Sequence, residues 1–355
     1  DWYGNNRPAF HYCPKLTQIE VDVDNQSFKS VEGILYSKDG TELVRYPSGR
    51  LGSFSFPSEV TSIRSPAFFQ ASGLTEIVIP SRIIEIEDYV FAGCTGLSSV
   101  TFETFQNPVS LKWFGVETIG VEAFGSCSIL EGITLPRTLS YIDASAFMAS
   151  AKVESISVDP NNPQFAGVDG ILFNKALTNL LICPPGKTTA HQIPASVTTV
   201  GDRAFYYCAS LNSVRLPAAL TAIGEQAFIR CISLPYIRIP SSVTQIGNGA
   251  FWSCSSLSNA YFSGAVAPAS IPLDAFSNVS PDFLITFREG SSGYAAPYWY
   301  GYPSAAILNI APVLAGIGNQ TIQPGQTITF TISATDGNED DLVYSAVGNG
   351  PQPAK

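Results

Sequence analysis

Seven cysteines, two histidines and one acidic cluster are the residues whose types suggest chemistry in this chain. Six of the cysteines each lie three residues after a phenylalanine: Cys13, Cys94, Cys127, Cys208, Cys231 and Cys254. Metal-binding cysteines come in close pairs such as C-x-x-C, which the sequence lacks. Cysteines at one repeated position point side by side into a core, where free cysteine packs as a small apolar residue. We therefore predict free structural thiols, including the seventh, Cys183.

The histidines give no sign of catalysis. His11 and His191 lie far apart in the sequence, and no Ser-His-Asp or Cys-His arrangement can be read around either of them. No G-x-S-x-G, H-E-x-x-H or phosphate-binding glycine loop occurs. We predict that the protein is not an enzyme and uses no cofactor.

The acidic cluster "DGNEDD" is a candidate calcium site. Asp336, Asn338 and Asp340 place oxygen atoms at alternate positions, as calcium loops do. Counted from Asp336, an EF-hand requires glycine at the sixth position and glutamate at the twelfth, where Asp341 and Val347 stand. A solvated turn between strands explains the cluster more simply. We therefore predict no metal site, with these three residues as the ligands to test.

Composition excludes several classes of partner. The chain has 355 residues, of which 45% are hydrophobic and 14% charged, with a net charge of −10. It has no basic stripe, which argues against nucleic acid. No apolar run approaches the length that a transmembrane helix needs. The opening "DWYGNNRPAF" is no signal peptide and starts part-way into a repeat, so we expect a longer parent protein.

The cysteines belong to a sequence repeat, which must determine where they lie in the fold. Phe205, Phe228 and Phe251 are 23 residues apart, within the unit I-G-x-x-A-F-x-x-C-x-x-L-x-x-I-x-I-P. A fixed period of this length predicts a solenoid, in which stacked coils bury one another's apolar residues. Ile237 and Ile239 alternate with polar neighbours, which predicts a short strand in each coil. The strands of successive coils would form one long parallel sheet with a spacing of about 4.8 Å.

Two longer segments interrupt the repeat and match each other. One reads "NQSFKSVEGILYSKDGTELVRYP" and the other "NPQFAGVDGILFNKALTNLLICP", with Gly33 and Gly170 at the same position of each. Paired apolar runs around a turn predict a β-hairpin in each. We place hairpin inserts at about 25–47 and 162–184, within a duplicated block.

Three regions follow from the pattern. We assign the repeats to residues 1–262, a capping region to 263–308 and a partial second domain to 309–355. The capping region contains "GYAAPYWYGYP", whose aromatic residues could seal the end of the core or stack on sugar rings. The last region shows only two or three strands, whereas a β-sandwich needs about seven.

The repeat unit resembles the BspA-like leucine-rich repeats, over roughly residues 1–305, and the hairpin segments resemble that family's elaborations. Residues 311–349 resemble the start of a bacterial Ig-like domain. The resemblance implies a right-handed leucine-rich-repeat solenoid, mainly β with short helical or irregular turns, followed by a β-sandwich fragment. It also implies a secreted or surface-attached bacterial protein that adheres to host matrix or cell-surface proteins. The family has no shared catalytic residues.

The candidate binding residues follow from strand alternation. Residues between the two buried positions of each strand point to solvent, as does the residue before the first of them. Towards the C-terminal end these outward positions gather residue types that are enriched at binding hot spots: Arg215, Tyr236, Arg238 and Tyr261. We predict a protein partner with an acidic group. Carbohydrate binding and a purely structural spacer remain alternatives, and the oligomeric state is open.

Overall fold

The structure is a computed structural model that describes Phe10, residues 12–308 and the short pairs Val313–Leu314 and Ala334–Thr335. These residues form 29 short strands and no helix, so no described helix could cross a membrane. The strands of the first half are β1 (Phe28–Val31), β2 (Ile34–Ser37), β3 (Glu42–Arg45), β4 (Gly52–Phe54), β5 (Ser62–Ile63), β6 (Leu74–Ile79), β7 (Glu85–Ile86), β8 (Ser99–Phe102), β9 (Phe105–Gln106), β10 (Trp113–Phe114), β11 (Thr118–Ile119), β12 (Gly132–Leu135), β13 (Tyr141–Ile142) and β14 (Ser155–Val158).

The second half continues the same scheme. Its strands are β15 (Phe165–Val168), β16 (Ile171–Asn174), β17 (Asn179–Ile182), β18 (Thr189–Ala190), β19 (Thr199–Val200), β20 (Ser213–Val214), β21 (Ala222–Ile223), β22 (Tyr236–Ile239), β23 (Gln245–Ile246), β24 (Asn259–Phe262), β25 (Leu284–Arg288), β26 (Tyr298–Trp299), β27 (Tyr302–Ile307), β28 (Val313–Leu314) and β29 (Ala334–Thr335). Of the region 309–355, only the antiparallel pair β28 and β29 is described. The rest of the predicted Ig-like domain and the calcium candidates Asp336, Asn338 and Asp340 lie outside the described residues.

The predicted solenoid is confirmed, but it carries two parallel ladders rather than one. The expected ladder at L-x-x-I-x-I contains β6 with β8, β12 with β14, and β22 with β24. A second ladder of two-residue strands, including β19, β21 and β23, forms directly before the position that holds Gly201, Gly224 and Gly247 in these coils. Each of these strands is only two residues long, so its sequence cannot show the alternation that predicts a strand. The pairing forms because successive coils stack on one another.

The turns between the ladders are irregular, and the expected short helical turns are absent from the described residues. The residue two after the repeated phenylalanine has positive φ, and in most coils so does the residue two before it, for example Gln226 at 54° and Arg230 at 58° around Phe228. A residue with positive φ interrupts a right-handed helical turn because it directs the chain away from the backbone angles that the turn requires. Two such residues within five leave no room for a helical turn.

Each hairpin segment contains three antiparallel strands. Strands β1, β2 and β3 form the first, and β15, β16 and β17 form the second. The register shifts at equivalent places in the two copies, between Leu35 and Tyr36 and between Leu172 and Phe173. The last strand of each hairpin then pairs in parallel with the second ladder, as β3 with β5 and β17 with β19. The two segments therefore share one local structure.

A stack of aromatic rings runs through the core. Phe228 lies between Phe205 and Phe251, with ring centroids 4.4 and 5.0 Å apart and nearly parallel planes. The same stacking joins Phe68, Phe91 and Phe124 at 5.0 and 5.3 Å. The stack follows directly from the fixed period of the repeat, because equivalent residues of successive coils lie above one another.

The cysteines donate hydrogen bonds along this stack. The thiols of Cys231 and Cys254 lie 3.3 and 2.9 Å from the carbonyl oxygens of Phe205 and Phe228 in the preceding coils. Ser150 occupies the same position and donates to Phe124 O at 2.7 Å. Burial raises the pKa of Cys127 to about 12, so its thiol keeps its proton at neutral pH. The position therefore holds a small buried residue, which in most coils is also a hydrogen-bond donor; Ala71 occupies it after Phe68.

All seven cysteines are free, six of them buried, as predicted. We expect denatured, unreduced protein to titrate seven thiols with a thiol-reactive dye. Native protein should react at far fewer, because burial excludes the reagent and protonation removes the nucleophile. Recovery of only five, three or one of the seven thiols from the denatured, unreduced chain would show disulfide bridges and contradict this structure.

Candidate functional site

The four predicted binding residues lie on three successive coils. Arg215 directly follows β20, Tyr236 and Arg238 belong to β22, and Tyr261 belongs to β24. The parallel register places Arg238 opposite Tyr261. Strands β22 and β24 are hydrogen-bonded neighbours about 4.8 Å apart. Strand β20 pairs with β18 in a separate sheet and contacts β22, so the structure places the four residues on neighbouring coils.

Their exposure differs from the prediction at one position. Arg215 is exposed, Tyr236 is 36% exposed and Arg238 is half-buried, but Tyr261 is only 2% exposed. Its register neighbour on β25, Thr286, is 8% exposed. The expectation that Tyr261 points to solvent is therefore wrong. Alternation determines which face of a strand a side chain occupies, but not whether that face stays open to solvent.

His191 joins this group, although sequence reasoning missed it. It directly follows β18, which pairs with β20, and its Nε2 lies 2.6 Å from Ser213 Oγ. Arg215 N donates to Ala190 O at 3.0 Å, which brings His191 next to Arg215. Paired residues of these two coils, such as Thr189 and Ser213, are one residue further apart in the sequence than the repeat period. Aligning the sequence by the period therefore does not place His191 beside Arg215. Pro194, which ends the segment eleven residues before Phe205, is the signal that could have located this strand.

We call His191, Arg215, Tyr236 and Arg238 the basic strand patch. Arg215 forms no ion pair with any other described residue, in a chain of net charge −10. The contact between His191 and Ser213 does not complete a catalytic triad, because no described carboxylate accepts a hydrogen bond from His191. Among the described residues, no three His, Cys, Asp or Glu side chains form a group that could hold a metal ion.

The aromatic residues near the C-terminal end pack largely on the last coils. Trp299 is buried against Phe262, with ring centroids 5.2 Å apart, and its Nε1 donates to Gly293 O. The Tyr302 hydroxyl donates to Pro272 O at 3.1 Å. Tyr298 remains 64% exposed. These contacts favour the capping interpretation over sugar stacking for most of the segment, while the boundaries 263–308 remain a proposal.

A cavity of about 570 Å³ lies at the N-terminal end of the solenoid, and sequence reasoning missed it. Its lining includes the apolar residues Ile19, Phe28 and Leu35 and the charged residue Arg45. Arg45 is 5% exposed, and its guanidinium donates to the carbonyl oxygens of Pro66, Phe10 and Phe69. Burial lowers the pKa of Arg45, and no described carboxylate forms an ion pair with it.

Comparisons with known proteins identify the repeat. Residues 104–167 and 186–289 match the model of the BspA type leucine rich repeat region, in six copies. The pneumococcal vaccine antigen PcpA is 19% identical with a TM-score of 0.50, over 76% of this chain and 79% of that one. A leucine-rich repeat protein from Eubacterium ventriosum is 20% identical with a TM-score of 0.49, over 80% and 83% of the two chains.

A leucine rich cell surface protein from Faecalibacterium prausnitzii is also 20% identical with a TM-score of 0.49, over 79% of this chain and 90% of that one. Among curated protein sequences, none matches this chain. At 19% identity, the similarity to the pneumococcal antigen establishes a shared fold and nothing further.

Proposed function

We propose that this protein, whose repeat region belongs to the BspA-type leucine-rich repeats, is a non-catalytic binding protein of the bacterial cell surface or of the extracellular space. The proposed partner is another protein. The proposed role of this chain is adhesion to a host matrix or cell-surface protein. The family resemblance supports the localisation and the general role. The partner's chemistry is inferred from the basic strand patch.

The observation that carries the proposal is the exposure of Arg215, directly after β20, and of Tyr236, on β22 of the next coil. Arginine and tyrosine are enriched among residues that dominate binding energy, because they combine a large contact area with directional hydrogen bonds. Strands hold both side chains in place before binding, which lowers the entropy lost on association. The positive charge of Arg215 lacks an ion-pair partner within the described chain and favours an acidic group on the partner protein.

Carbohydrate binding is the second candidate, and the exposed side chain of Tyr298 favours it. A glycan array separates the two, since a protein-binding patch would give no glycan signal. Capture experiments with host matrix proteins would identify the protein partner. A structural spacer would bind neither class of ligand.

The patch is tested with the double variant Arg215→Ala and Tyr236→Ala. We expect the fold to persist and the affinity for the captured partner to fall at least tenfold, about 1.4 kcal/mol, as for two hot-spot residues. Binding would be measured by surface plasmon resonance, and the fold by circular dichroism.

The matched control is Thr134→Ala, which changes the outward residue of β12 at the position equivalent to Arg238 in another coil. Its affinity should equal that of the unmodified protein. An unchanged affinity of the double variant would place the partner elsewhere on the molecule, with the hairpins at 25–47 and 162–184 as the next surfaces to test.

A further inference from the structure

One coil carries a short hairpin in addition to the two longer hairpin segments. Phe91 and Phe124 are 33 residues apart instead of 23, and the additional residues contain the antiparallel pair β9 and β10. Among the described strands, these two pair only with each other and belong to neither parallel ladder. The coil therefore carries a structure that the stacking of coils does not require.

The tip of this hairpin exposes apolar side chains. Phe105, Val109 and Leu111 are 51%, 91% and 66% exposed. In no other window of seven described residues are even two large apolar side chains more than half exposed. Isolated exposed apolar residues are common on protein surfaces, whereas a cluster points to contact with another apolar surface.

The backbone donors of the tip are satisfied within the loop itself. Asn107 Oδ1 accepts hydrogen bonds from the N–H groups of the second and third residues after it, both at 2.9 Å. Leu111 N donates to Asn107 O at 2.9 Å, and Asn107 N donates to Lys112 O at 2.8 Å. Lys112 N donates to Ser110 Oγ at 3.4 Å, and the remaining residue of the loop 107–112 is a proline, which has no N–H group. A segment enters an apolar phase at low cost only when its N–H groups are already paired.

The charge of the hairpin differs from that of the rest of the chain. Residues 104–116 contain one lysine and no acidic residue, in a chain with 29 acidic residues and a net charge of −10. Lys112 Nζ lies 5.3 Å from the centre of the Phe114 ring, so the stem of the lysine follows the apolar side chains and its ammonium group stays at their edge. An anionic surface would repel the acidic remainder of the chain, so the hairpin suits a zwitterionic surface.

The base of the hairpin is fixed to the following coil. The Arg137 guanidinium lies 4.0 Å from the centre of the Trp113 ring, and its Nε binds the Asp159 carboxylate at 3.1 Å. Thr138 Oγ1 donates to Val116 O at 2.7 Å. These contacts hold the hairpin in one orientation before it meets another surface, which lowers the entropy lost on docking.

From these observations we propose that the hairpin tip, residues 105–112, docks on a zwitterionic lipid surface. The side chains of Phe105, Val109 and Leu111 enter the boundary between headgroups and acyl chains, and Lys112 remains among the lipid phosphates. A protein partner would be held in part by hydrogen bonds, for which the loop offers no unpaired backbone N–H group. The tip lies on a different coil from the basic strand patch, and its docking does not depend on that patch.

The probe is a suspension of phosphatidylcholine vesicles, with which the full 355-residue chain is sedimented. We expect the bound fraction to rise with lipid concentration and to saturate. It should change less than about twofold between low and high salt, because salt does not screen apolar contact. Leu111→Asp should lower the partition coefficient about tenfold, since it places a charge where an apolar side chain enters the lipid. Val109→Trp should raise it, because tryptophan is favoured at the lipid–water boundary.

The matched control is Leu273→Asp, which makes the same change at a leucine that is 80% exposed outside the hairpin, and it should leave the partition coefficient unchanged. Circular dichroism verifies that each variant folds. Absence of vesicle binding by both the unmodified and the Val109→Trp chains at millimolar lipid would overturn the proposal, as would equal partition of the unmodified and Leu111→Asp chains. Reduced affinity of Leu111→Asp for a captured protein partner, without vesicle binding by the unmodified chain, would also overturn it and would assign the tip to a protein interface.

Discussion

Replacing Phe228 with alanine is expected to lower the free energy of unfolding by about 3–5 kcal/mol, the usual cost of truncating a buried aromatic residue. Phe228 is fully buried, and its ring stacks between Phe205 and Phe251 at centroid distances of 4.4 and 5.0 Å. The variant loses both stacking contacts and leaves a cavity that close-packed coils cannot fill. Urea unfolding followed by circular dichroism measures the loss.

The damage should remain local at first, because each coil contacts only its neighbours. Hydrogen exchange is expected to rise around residues 205–251 before it rises near residue 20. Ile232→Ala in the same coil is the control: the residue is 45% exposed, so the change should cost less than about 1 kcal/mol. Uniform loss of protection along the chain would contradict a one-dimensional array of coils.

Replacing Asn162 with alanine is expected to destabilise the protein by about 4 kcal/mol, at about 1 kcal/mol for each of four hydrogen bonds. Its Nδ2 bridges Pro136 O and Leu139 O of the preceding coil, and its Oδ1 caps two N–H groups of its own turn. The residue is fully buried, so water cannot replace these bonds in the variant.

Asn25→Ala is the matched control, because Asn25 occupies the same position of the duplicated block. It is exposed and makes only the two bonds within its own turn, where water can substitute for the lost oxygen. We expect it to cost less than about 1 kcal/mol. Equal costs for the two variants would show that contact with the preceding coil contributes nothing, and that the two copies differ less than the structure indicates.

The sequence predicted where the candidate site lies on the solenoid, but not all of the residues that form it. Alternation along β22 placed Tyr236 and Arg238 on the outward face, and the period of the repeat brought Arg215 beside them. The same reasoning included Tyr261, which the structure buries, and omitted His191, whose coil is out of step by one residue. Tyr261 is buried because other parts of the chain cover its face of the sheet, which alternation along its own strand does not show. His191 was missed because a register change of one residue moves it beside Arg215 without any change in the sequence around it.

The amino-acid sequence by itself determined the solenoid, its fixed period, the hairpin duplication and the stack of phenylalanines and cysteines. These features repeat, and a coil that cannot bury its apolar residues alone must stack on others of the same kind. Only the tertiary structure decided the second ladder of short strands and the different surroundings of the two duplicated copies. Asn25 and Asn162 occupy the same position in matching segments, yet one is exposed and the other buried. The reason is that local sequence sets how a segment folds, whereas the coil packed above it sets which of its groups remain free to bind.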